Sequence, residues 1–326
     1  MEARISVSAN RAKVVTIDCD YVYSRFAAAY LLVHGDEVAF IDNNTAHAVP
    51  KLIASLKAEG FAPEQVKYVI ITHVHLDHAG GTSQLMRACP QAKLLAHPRA
   101  AKHMIDPSKL VGSAKVVYGE ADFKKLYGEI HPVAKDRVQE VGDGEVLALG
   151  GARLRFIHTR GHANHHFCIY DERLGIIFTG DAFGLSYPDL QKYGRFILPS
   201  TSPTDFDAAE AKKSIAKVIE TGSEKAYLTH FGEVEKLSAC ALQLNQYLNF
   251  SRELVERAVT SALVNEALPQ FCESELRKFL AEDLNLRKFS FSASELGILN
   301  MDLKLNGAGL AFVATKLRMT HAKGTP

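Results

Sequence analysis

The chain has 326 residues, of which 47% are hydrophobic and 23% are charged. These values are close to the average for globular proteins, so they exclude wholesale disorder, and the length suggests two domains or one domain with an annex. The 38 lysines and arginines nearly balance the 37 aspartates and glutamates, for a formal net charge of +1. No overall electric field therefore attracts the chain to nucleic acid or to an anionic membrane.

The cysteines and the apolar runs indicate where in the cell the protein is expected. The five cysteines are odd in number and contain no C-x-x-C pair, which is typical of reduced thiols in a cytosol. The longest apolar run, 26–33, is far shorter than the about 20 residues that cross a bilayer. The first residues lack the apolar centre of a signal peptide. We therefore expect a cytoplasmic protein without a membrane partner.

The first third of the chain predicts strands and then a helix. Strand-rich runs over 12–34 and 37–43 are separated by a Gly-Asp pair, which predicts a strand series with a hairpin turn. Apolar residues over 52–60 follow helical spacing and stop at a glycine. A buried strand is then predicted over 66–72.

The middle third repeats this order of strands and helices. A strand at 93–96 is followed by helical pieces over 98–127. A second set of strands is predicted at 138–141, 145–149, 153–159, 166–170 and 175–179. A helix over 206–220 and a strand over 225–229 complete what we interpret as a second, similar half.

Beyond residue 235 the pattern becomes helical. Helices are predicted over 237–262 and 273–284, with a break at Pro269. We therefore predict a domain at 1–235 and a helical annex at 236–326. Leucines spaced by three and four over 296–317, with Asn306 in the gap, predict a helix that packs on its own domain, and the seam of a homodimer is the alternative.

The segment 72–81, T-H-V-H-L-D-H-A-G-G, is the most informative stretch of the sequence. It directly follows a predicted buried strand. Alternate residues of an extended segment point the same way, so His73 and His75 can share one metal ion, while Asp77 and His78 can serve a second. Imidazole and carboxylate groups suit borderline divalent metals, and burying them unpaired is costly. The segment therefore predicts a metal site.

Two metals need more ligands than this segment supplies. Three further candidates each follow a predicted strand and lie beside a glycine, namely His162, Asp181 and His230. An isolated histidine in such a place is a weak signal, but the three together, in this order, are a strong one. We expect them at the same edge of the fold as the 72–81 segment.

These residues resemble the motifs of the metallo-β-lactamase superfamily. The matching residues are T-H-V-H-L-D-H at 72–78, G-H at 161–162, G-D at 180–181 and T-H at 229–230. The resemblance covers about 12–232 and implies an α+β fold, an αββα sandwich of two mixed sheets, here followed by the helical annex. It also implies that His73, His75 and His162 hold one ion, that Asp77, His78 and His230 hold another, and that Asp181 bridges them.

The resemblance implies a dinuclear hydrolase. Two cations about 3.5–4 Å apart lower the pKa of a bridging water and polarise the substrate, so that the bridging hydroxide attacks an electrophilic centre. Asp77 is the expected proton acceptor or donor. Zinc is the first expectation for both ions, and iron and manganese also accept such ligands. Because no cysteine ligand is present, antibiotic hydrolysis is not expected.

The annex narrows the substrate class. It looks like the C-terminal helices of glyoxalase II-type and quinolone-signal thioesterases, which favours a small ester, lactone or thioester. The inserted domain common in nuclease members is absent and the charge is balanced, so nucleic acid is not the expected partner. Two alternatives remain: a persulfide-dioxygenase-like oxygenase with one iron, and a signalling or partner-binding module whose hydrolysis is incidental.

Two further side chains near the predicted ligands have predicted roles. Tyr187 lies in a turn-rich loop at 184–189, where a phenol could donate a hydrogen bond to a substrate oxygen. His166 is interpreted as structural support for the ligands rather than as a ligand.

Overall fold

The computed structural model describes residues 11–202 and 204–323. Its contacts divide the chain into two compact units. The described part of the first unit comprises 11–158, 165–180 and 220–235, and that of the second comprises 159–164, 181–202, 204–219 and 236–323. The last change of unit lies between residues 235 and 236, and two earlier segments also belong to the second unit. The division into a domain at 1–235 and an annex at 236–326 stays a prediction.

The first sheet of the first unit has six strands in sequence order. They are β1 (Ala12–Asp18), β2 (Ala28–His34), β3 (Glu37–Ile41), β4 (Val66–Ile70), β5 (Lys93–Ala96) and β6 (Val138–Glu140). The first three are antiparallel and joined by short connections, whereas β3 to β6 are parallel. Parallel neighbours need crossover connections, which is why the helices of this unit lie between these strands.

Six helices supply these crossovers. They are α1 (Val49–Ala58), α2 (Leu76–Ala79), α3 (Thr82–Ala88), α4 (Pro98–Ile105), α5 (Ser108–Tyr118) and α6 (Glu120–Tyr127). Proline occupies the first turn of α1 and of α4, where its missing N–H costs no helical hydrogen bond.

The second sheet is also six-stranded and mixed, in the order β12-β11-β10-β9-β8-β7. Its strands are β7 (Val146–Leu149), β8 (Ala152–His158), β9 (Phe167–Asp171), β10 (Ile176–Gly180), β11 (Lys225–Leu228) and β12 (Gly232–Glu235). Only β10 and β11 pair in parallel. The short strand β12 was not predicted from the sequence.

The strand β2 shows how the two sheets are packed, because all seven of its residues are buried. Ala29, Leu31 and Val33 point to a core shared with helices α1, α3 and α4. The alternate residues, such as Tyr30 and Leu32, point to a second core that receives side chains from both sheets. This alternation explains why the strand has no polar face. The predicted fold class, two mixed sheets with flanking helices and further C-terminal helices, is confirmed.

The second unit is built mainly from helices. They are α7 (Ala208–Glu220), α8 (Leu237–Thr260), α9 (Ala267–Leu286), α10 (Ala293–Gly297) and α11 (Asn300–Lys323). Pro269 lies in the first turn of α9 rather than in a break before it, so the predicted start at residue 273 was wrong. Proline is tolerated there because the first N–H groups of a helix have no helical partner.

The helix α11 packs against α8 and α9. Its Leu303 and Leu310 are buried, as is Leu299 directly before its first residue, in agreement with a helix that packs on its own chain. Asn306 is also buried, and its side chain accepts a hydrogen bond from Thr201 N–H (2.7 Å) and donates one to Pro199 O (3.0 Å). Asn306, which occupies the gap in the leucine series, therefore fixes the loop that contains Pro199 and Thr201 against α11.

Arg318, near the end of α11, caps the C-terminal end of α8. Its guanidinium donates to the carbonyl oxygens of Val259 (3.0 Å), Leu263 (2.6 Å) and Ser261 (2.6 Å), and also to that of Ala258. The last carbonyls of a helix lack helical partners, and a cation is favourable at this end of the helix dipole. One side chain thus links the two long helices.

Among the helices of residues 11–202 and 204–323, none combines the length and the apolar character that a bilayer crossing requires.

Candidate metal centre

The 72–81 segment leaves the sheet as predicted. Strand β4 ends at Ile70 and helix α2 begins at Leu76, so the residues between them form an extended link. His73 and His78 are buried, whereas His75 and Asp77 are partly exposed. The short helix turns Asp77 and His78 back toward the strand end from which His73 comes.

Imidazole rings are packed against one another around His73. Its ring centroid lies 4.4 Å from that of His75, 4.1 Å from that of His78 and 5.0 Å from that of His166. The neutral imidazole is the form that binds metals. The cluster therefore favours a metal-binding role.

Three donor atoms of the first unit converge on one point. His230 Nε2 lies 3.3 Å from Asp77 Oδ2, and His78 Nε2 lies 3.9 Å from the same oxygen. Ligand atoms of all three residues fall within 4.8 Å of one another. Two imidazoles and a carboxylate are a donor set that zinc, iron and manganese all accept. The residues of this unit therefore fit a bound divalent ion.

The tautomers of these histidines are set by their other ring nitrogens. His230 Nδ1 lies 3.0 Å from the carbonyl oxygen of Phe26, which can only accept, so Nδ1 carries the proton. His78 Nδ1 lies 2.8 Å from a carboxylate oxygen of Asp42. Both contacts leave Nε2 as the electron-pair donor, as metal-binding histidines usually are arranged.

Asp42 is a functional residue that our sequence reasoning missed. It follows β3, is 1% exposed and has a left-handed φ of 53°. Its Oδ1 accepts hydrogen bonds from the N–H and the hydroxyl of Thr72 (2.8 and 3.0 Å), and its Oδ2 accepts one from the Thr229 hydroxyl (2.8 Å). One carboxylate thus ties together the residues that precede His73 and His230 and orients His78. A polar residue directly after a buried strand was the only signal.

His162 and Asp181 lie together in the second unit. His162 Nε2 is 3.4 Å from Asp181 Oδ2, and His162 Nδ1 is 3.4 Å from the carbonyl oxygen of Ser200. Both residues are buried, at 4% and 7% exposure. This pair of an imidazole and a carboxylate is again a donor set for a divalent metal.

The structure thus groups the predicted ligands in two sets. The first unit brings together His73, His75, Asp77, His78 and His230. The second unit brings together His162 and Asp181. The joint set of seven stays a prediction.

Tyr187 lies in a different environment from the one we expected. Its side chain is 2% exposed, and its hydroxyl donates a 3.1 Å hydrogen bond to Asp302 Oδ1 of α11. The loop is therefore folded onto the helices of its own unit. This bond favours a structural role, and a contact with substrate stays a prediction without support from its surroundings.

His166 is fully buried beside the end of β10. A Cβ atom at Gly180 would lie 2.6 Å from His166 Nε2 and 2.7 Å from the Thr72 hydroxyl. Gly180 also has a positive φ of 47°. Only glycine lets this strand end approach the histidine cluster so closely. The close packing agrees with the supporting role predicted for His166.

The profile of the metallo-beta-lactamase superfamily matches residues 23–230 of this chain. The chain belongs to this superfamily.

Two relatives and one solved structure are similar to this chain. A metallo-beta-lactamase fold-containing protein of Sulfurisphaera tokodaii is 30% identical over 52% of this chain and 62% of its own length. An atrochrysone carboxyl ACP thioesterase of Aspergillus fumigatus is 26% identical over 72% of this chain and 59% of its own length. The match thus spans about three fifths of each relative. A metallo-beta-lactamase family protein of Thermus thermophilus has the same fold, with a TM-score of 0.64 at 19% identity, over 94% of this chain and 93% of its own.

Asp42→Asn should weaken metal binding in this superfamily member. The amide keeps the shape of the side chain but offers only one acceptor oxygen and no negative charge, so His78 loses its orienting partner. Loss of such a partner typically lowers metal affinity about 10- to 100-fold. Competition with a chromophoric chelator measures this affinity. An unchanged affinity would contradict the role of Asp42, and Asp18→Asn, in another carboxylate with several hydrogen bonds, is the control.

His97→Asn should make the protein less sensitive to acid. Burial, and then the charge of the neighbouring His158, lowers the pKa of His97 to about 4 from the ordinary 6.5. The unfolded chain therefore takes up a proton below pH 6.5 that the folded chain refuses until about pH 4, so stability falls as the pH falls through this window. Asparagine can still accept the hydrogen bond that Arg99 N–H donates to His97 Nδ1 (3.0 Å), which caps helix α4. Urea unfolding at pH 7 and at pH 5 measures how much free energy of unfolding each protein loses on acidification. An equal loss for the parent protein and for His97→Asn would contradict the prediction.

Proposed function

We propose that this chain is a dinuclear metal-dependent hydrolase of small esters, lactones or thioesters. The observation that carries the proposal is the convergence of Asp77, His78 and His230, whose ligand atoms lie within 4.8 Å of one another. Membership of the metallo-beta-lactamase superfamily supports it, because this superfamily includes hydrolases.

In this proposal the ligands divide into two sets, with zinc as the first expectation and iron or manganese as alternatives. His73, His75 and His162 would hold one ion, Asp77, His78 and His230 would hold the other, and Asp181 would belong to both. When bound, such ions supply an activated water and polarise the oxygen of the substrate's carbonyl group. The proposal adds His162 and Asp181 to the donors of the first unit.

The protein's own groups would then position the ions and move the proton. Phe26 O and Asp42 hold the Nδ1–H groups of His230 and His78, so both Nε2 lone pairs stay available. Asp77 is partly exposed, and its Oδ2 would accept the proton released during attack and return it to the leaving group. Burial of His73 and His78 keeps bulk water away from the ligand shell.

The choice of substrate class rests on two supports. The thioesterase of Aspergillus fumigatus matches 72% of this chain at 26% identity, and its name states that it acts as a carboxyl ACP thioesterase. The second support is the set of C-terminal helices α8 to α11. The resemblance of this annex to the C-terminal helices of thioesterases favours acyl substrates. A small-molecule partner follows, with no nucleic acid or membrane partner, and a homodimer stays an alternative to a monomer.

We further propose a cytoplasmic location. All five cysteines are buried and free of disulfides, as reduced thiols in a cytosol would be.

Metal analysis followed by a substrate screen tests the proposal. Purified protein should contain about two divalent ions per chain. It should hydrolyse at least one class among lactones, thioesters and carboxylic esters, lose this activity with a chelator and regain it with the metal. One iron per chain with oxygen consumption would instead support the oxygenase. A stable complex with another protein and negligible turnover on the whole panel would support the binding module.

A further inference from the structure

Helix α2 carries two of the three donors that converge in the first unit, Asp77 and His78. The helix has only four residues, from Leu76 to Ala79. A single helical turn gains too few hydrogen bonds to offset the entropy of its own formation, so it is not stable alone. The orientation of the two donors therefore depends on what the rest of the unit supplies to this turn.

The link that follows strand β3, residues 42–45, holds the turn through its backbone. Asn43 N–H donates a hydrogen bond to His78 O (2.8 Å), and Asn44 O accepts one from Gly81 N–H (2.8 Å). The backbones of Asn44 and Ala79 also pair as an isolated parallel bridge. Bonds of this kind join the link to the turn but do not by themselves require a particular side chain.

Asn44 adds a side-chain contact that does depend on its identity. Its Nδ2 group donates a 2.9 Å hydrogen bond to the carbonyl oxygen of Asp77, and the residue is 2% exposed. A carbonyl oxygen can only accept, so the amide nitrogen of Asn44 must face it. Asn44 also has a left-handed φ of 54°, which asparagine tolerates better than most residues. The position therefore suits asparagine for two independent reasons.

The hydrogen bond from Asn44 acts on both donors at once. The carbonyl of Asp77 belongs to the peptide plane that joins Asp77 to His78, so a fixed carbonyl fixes the backbone from which both side chains start. Asp77 Oδ2 lies 3.3 Å from His230 Nε2 and 3.9 Å from His78 Nε2. A rotation of this plane would move both donors relative to His230.

Close packing leaves the link little room to adjust. A Cβ atom at Gly81 would lie 2.8 Å from Thr45 O and 2.9 Å from Asn43 O, and Cβ atoms do not approach other atoms so closely. The link can therefore lie against the residues after α2 only because Gly81 has no side chain. A hydrogen bond lost at Asp77 is then not readily replaced by a shift of the link.

We propose that Asn44 is a positioning residue, which holds the peptide between Asp77 and His78 and thereby sets the affinity for the ion bound by these two residues and His230. The inference rests on the proposed function, in which the three form one of two ion sites. Asn44 would touch neither ion nor substrate and would act through the backbone of Asp77. Its loss should therefore weaken the binding of one ion much more than that of the other.

Chelator competition at pH 8 on two variants of Asn44 tests this role. Asn44→Gly accepts the left-handed φ but has no side chain, and Asn44→Asp keeps the shape but has a carboxylate without a hydrogen to donate. Each should lower the affinity for one ion about 10- to 100-fold and leave the other within about twofold, as expected for a residue that orients a metal ligand. Asn265→Gly, which replaces an exposed asparagine with a similar φ of 48°, is the matched control and should change neither affinity.

The variant His230→Ala identifies the ion that responds. In this background the site of Asp77, His78 and His230 has lost a ligand, so adding Asn44→Gly should leave the affinity for the remaining ion unchanged. An equal fall in both affinities, or no fall in either, would overturn the inference. The same fall in the presence of His230→Ala would overturn it as well.

Hydrogen exchange of the whole chain in excess zinc measures the positioning itself. The amides of residues 78–81 donate to carbonyl groups of the turn and of the link. They should exchange about 3- to 10-fold faster in Asn44→Gly than in the parent protein, as the loss of one hydrogen bond predicts. Asn265→Gly should leave their exchange unchanged. Unchanged exchange in Asn44→Gly would overturn the inference whether or not metal binds.

The two measurements separate this inference from the proposed function. If the parent protein binds no metal, the proposed function fails, and faster exchange in Asn44→Gly still supports the positioning of Asp77 and His78. If the parent protein binds two ions and hydrolyses esters while the Asn44 variants keep both affinities, the proposed function stands and the inference is overturned. This second conclusion holds even when exchange is faster, because the contact would then stabilise the turn without affecting the ion.

Discussion

Replacing Asp77 by asparagine is expected to lower kcat/KM for the best substrate by about 10²- to 10⁴-fold, the usual contribution of a general acid or base. Asparagine has nearly the same shape, so the short helix α2 should form as before. It has no negative charge to set against a bound cation, and its amide does not take up a proton at neutral pH. Asp77 Oδ2 lies 3.3 Å from His230 Nε2 and is proposed both to bind a cation and to transfer a proton. The variant would lose both functions together.

Metal content must be measured on the same sample, because a loss of metal alone would also lower turnover. If the variant binds both ions when metal is in excess and is still slow, the proton-transfer task is supported. Full turnover in a variant with tightly bound metal would contradict any catalytic task for Asp77. Asp122→Asn, an exposed position in the first turn of α6, is the control and should leave kcat/KM unchanged.

Gly161→Ala is expected to destabilise the second unit strongly. Gly161 has a φ of 120°, and a Cβ atom on it would lie 2.2 Å from the backbone nitrogen and 2.4 Å from the Cα atom of Ala211. Because these are backbone atoms of helix α7, no side-chain rotation can relieve the overlap. Overpacking of this kind costs about 1–3 kcal/mol in addition to the strain of the backbone conformation. The neighbouring residue is His162, so metal binding should weaken as well.

Gly194→Ala is the control that separates two costs of Gly161→Ala, the steric overlap with α7 and the strain of a positive φ. Gly194 has nearly the same φ, 125°, but a Cβ there would meet only the ring of Phe289, at an ordinary contact distance of 3.7 Å. The free energy of unfolding from urea titration should therefore fall by about 1–3 kcal/mol more for Gly161→Ala than for Gly194→Ala. Equal losses would show that the close approach of α7 does not require glycine.

The sequence predicted most elements of the fold because their burial patterns are strong. Strand β2 is apolar throughout, and this pattern is typical of a strand covered on both faces. Strand β12 was missed because its four residues, G-E-V-E, contain a single apolar side chain among charged ones. The start of α9 was misplaced because Pro269 was interpreted as a helix breaker, although the first turn of a helix accepts proline.

The candidate site was predictable to the extent that its residues form a motif. His73, His75, Asp77 and His78 stand within six residues, and their meeting requires only a strand end and one helical turn. Asp42 carries no such signal, since it precedes His78 by 36 residues and meets it only after the two strands pair.

The contact of His34 also carries no signal in the sequence. Its Nε2 lies 2.5 Å from Asp171 Oδ2, with both side chains fully buried and one from each sheet. This pairing depends on how the sheets stack, and a distance of 137 residues along the chain hides it from any local pattern.

Arg318 couples the two long helices of the second unit. It lies 55 to 60 residues after the carbonyl groups that it binds at the end of α8. A substitution that removes this arginine is therefore expected to loosen the last turn of α8, although the sequence of that helix is untouched.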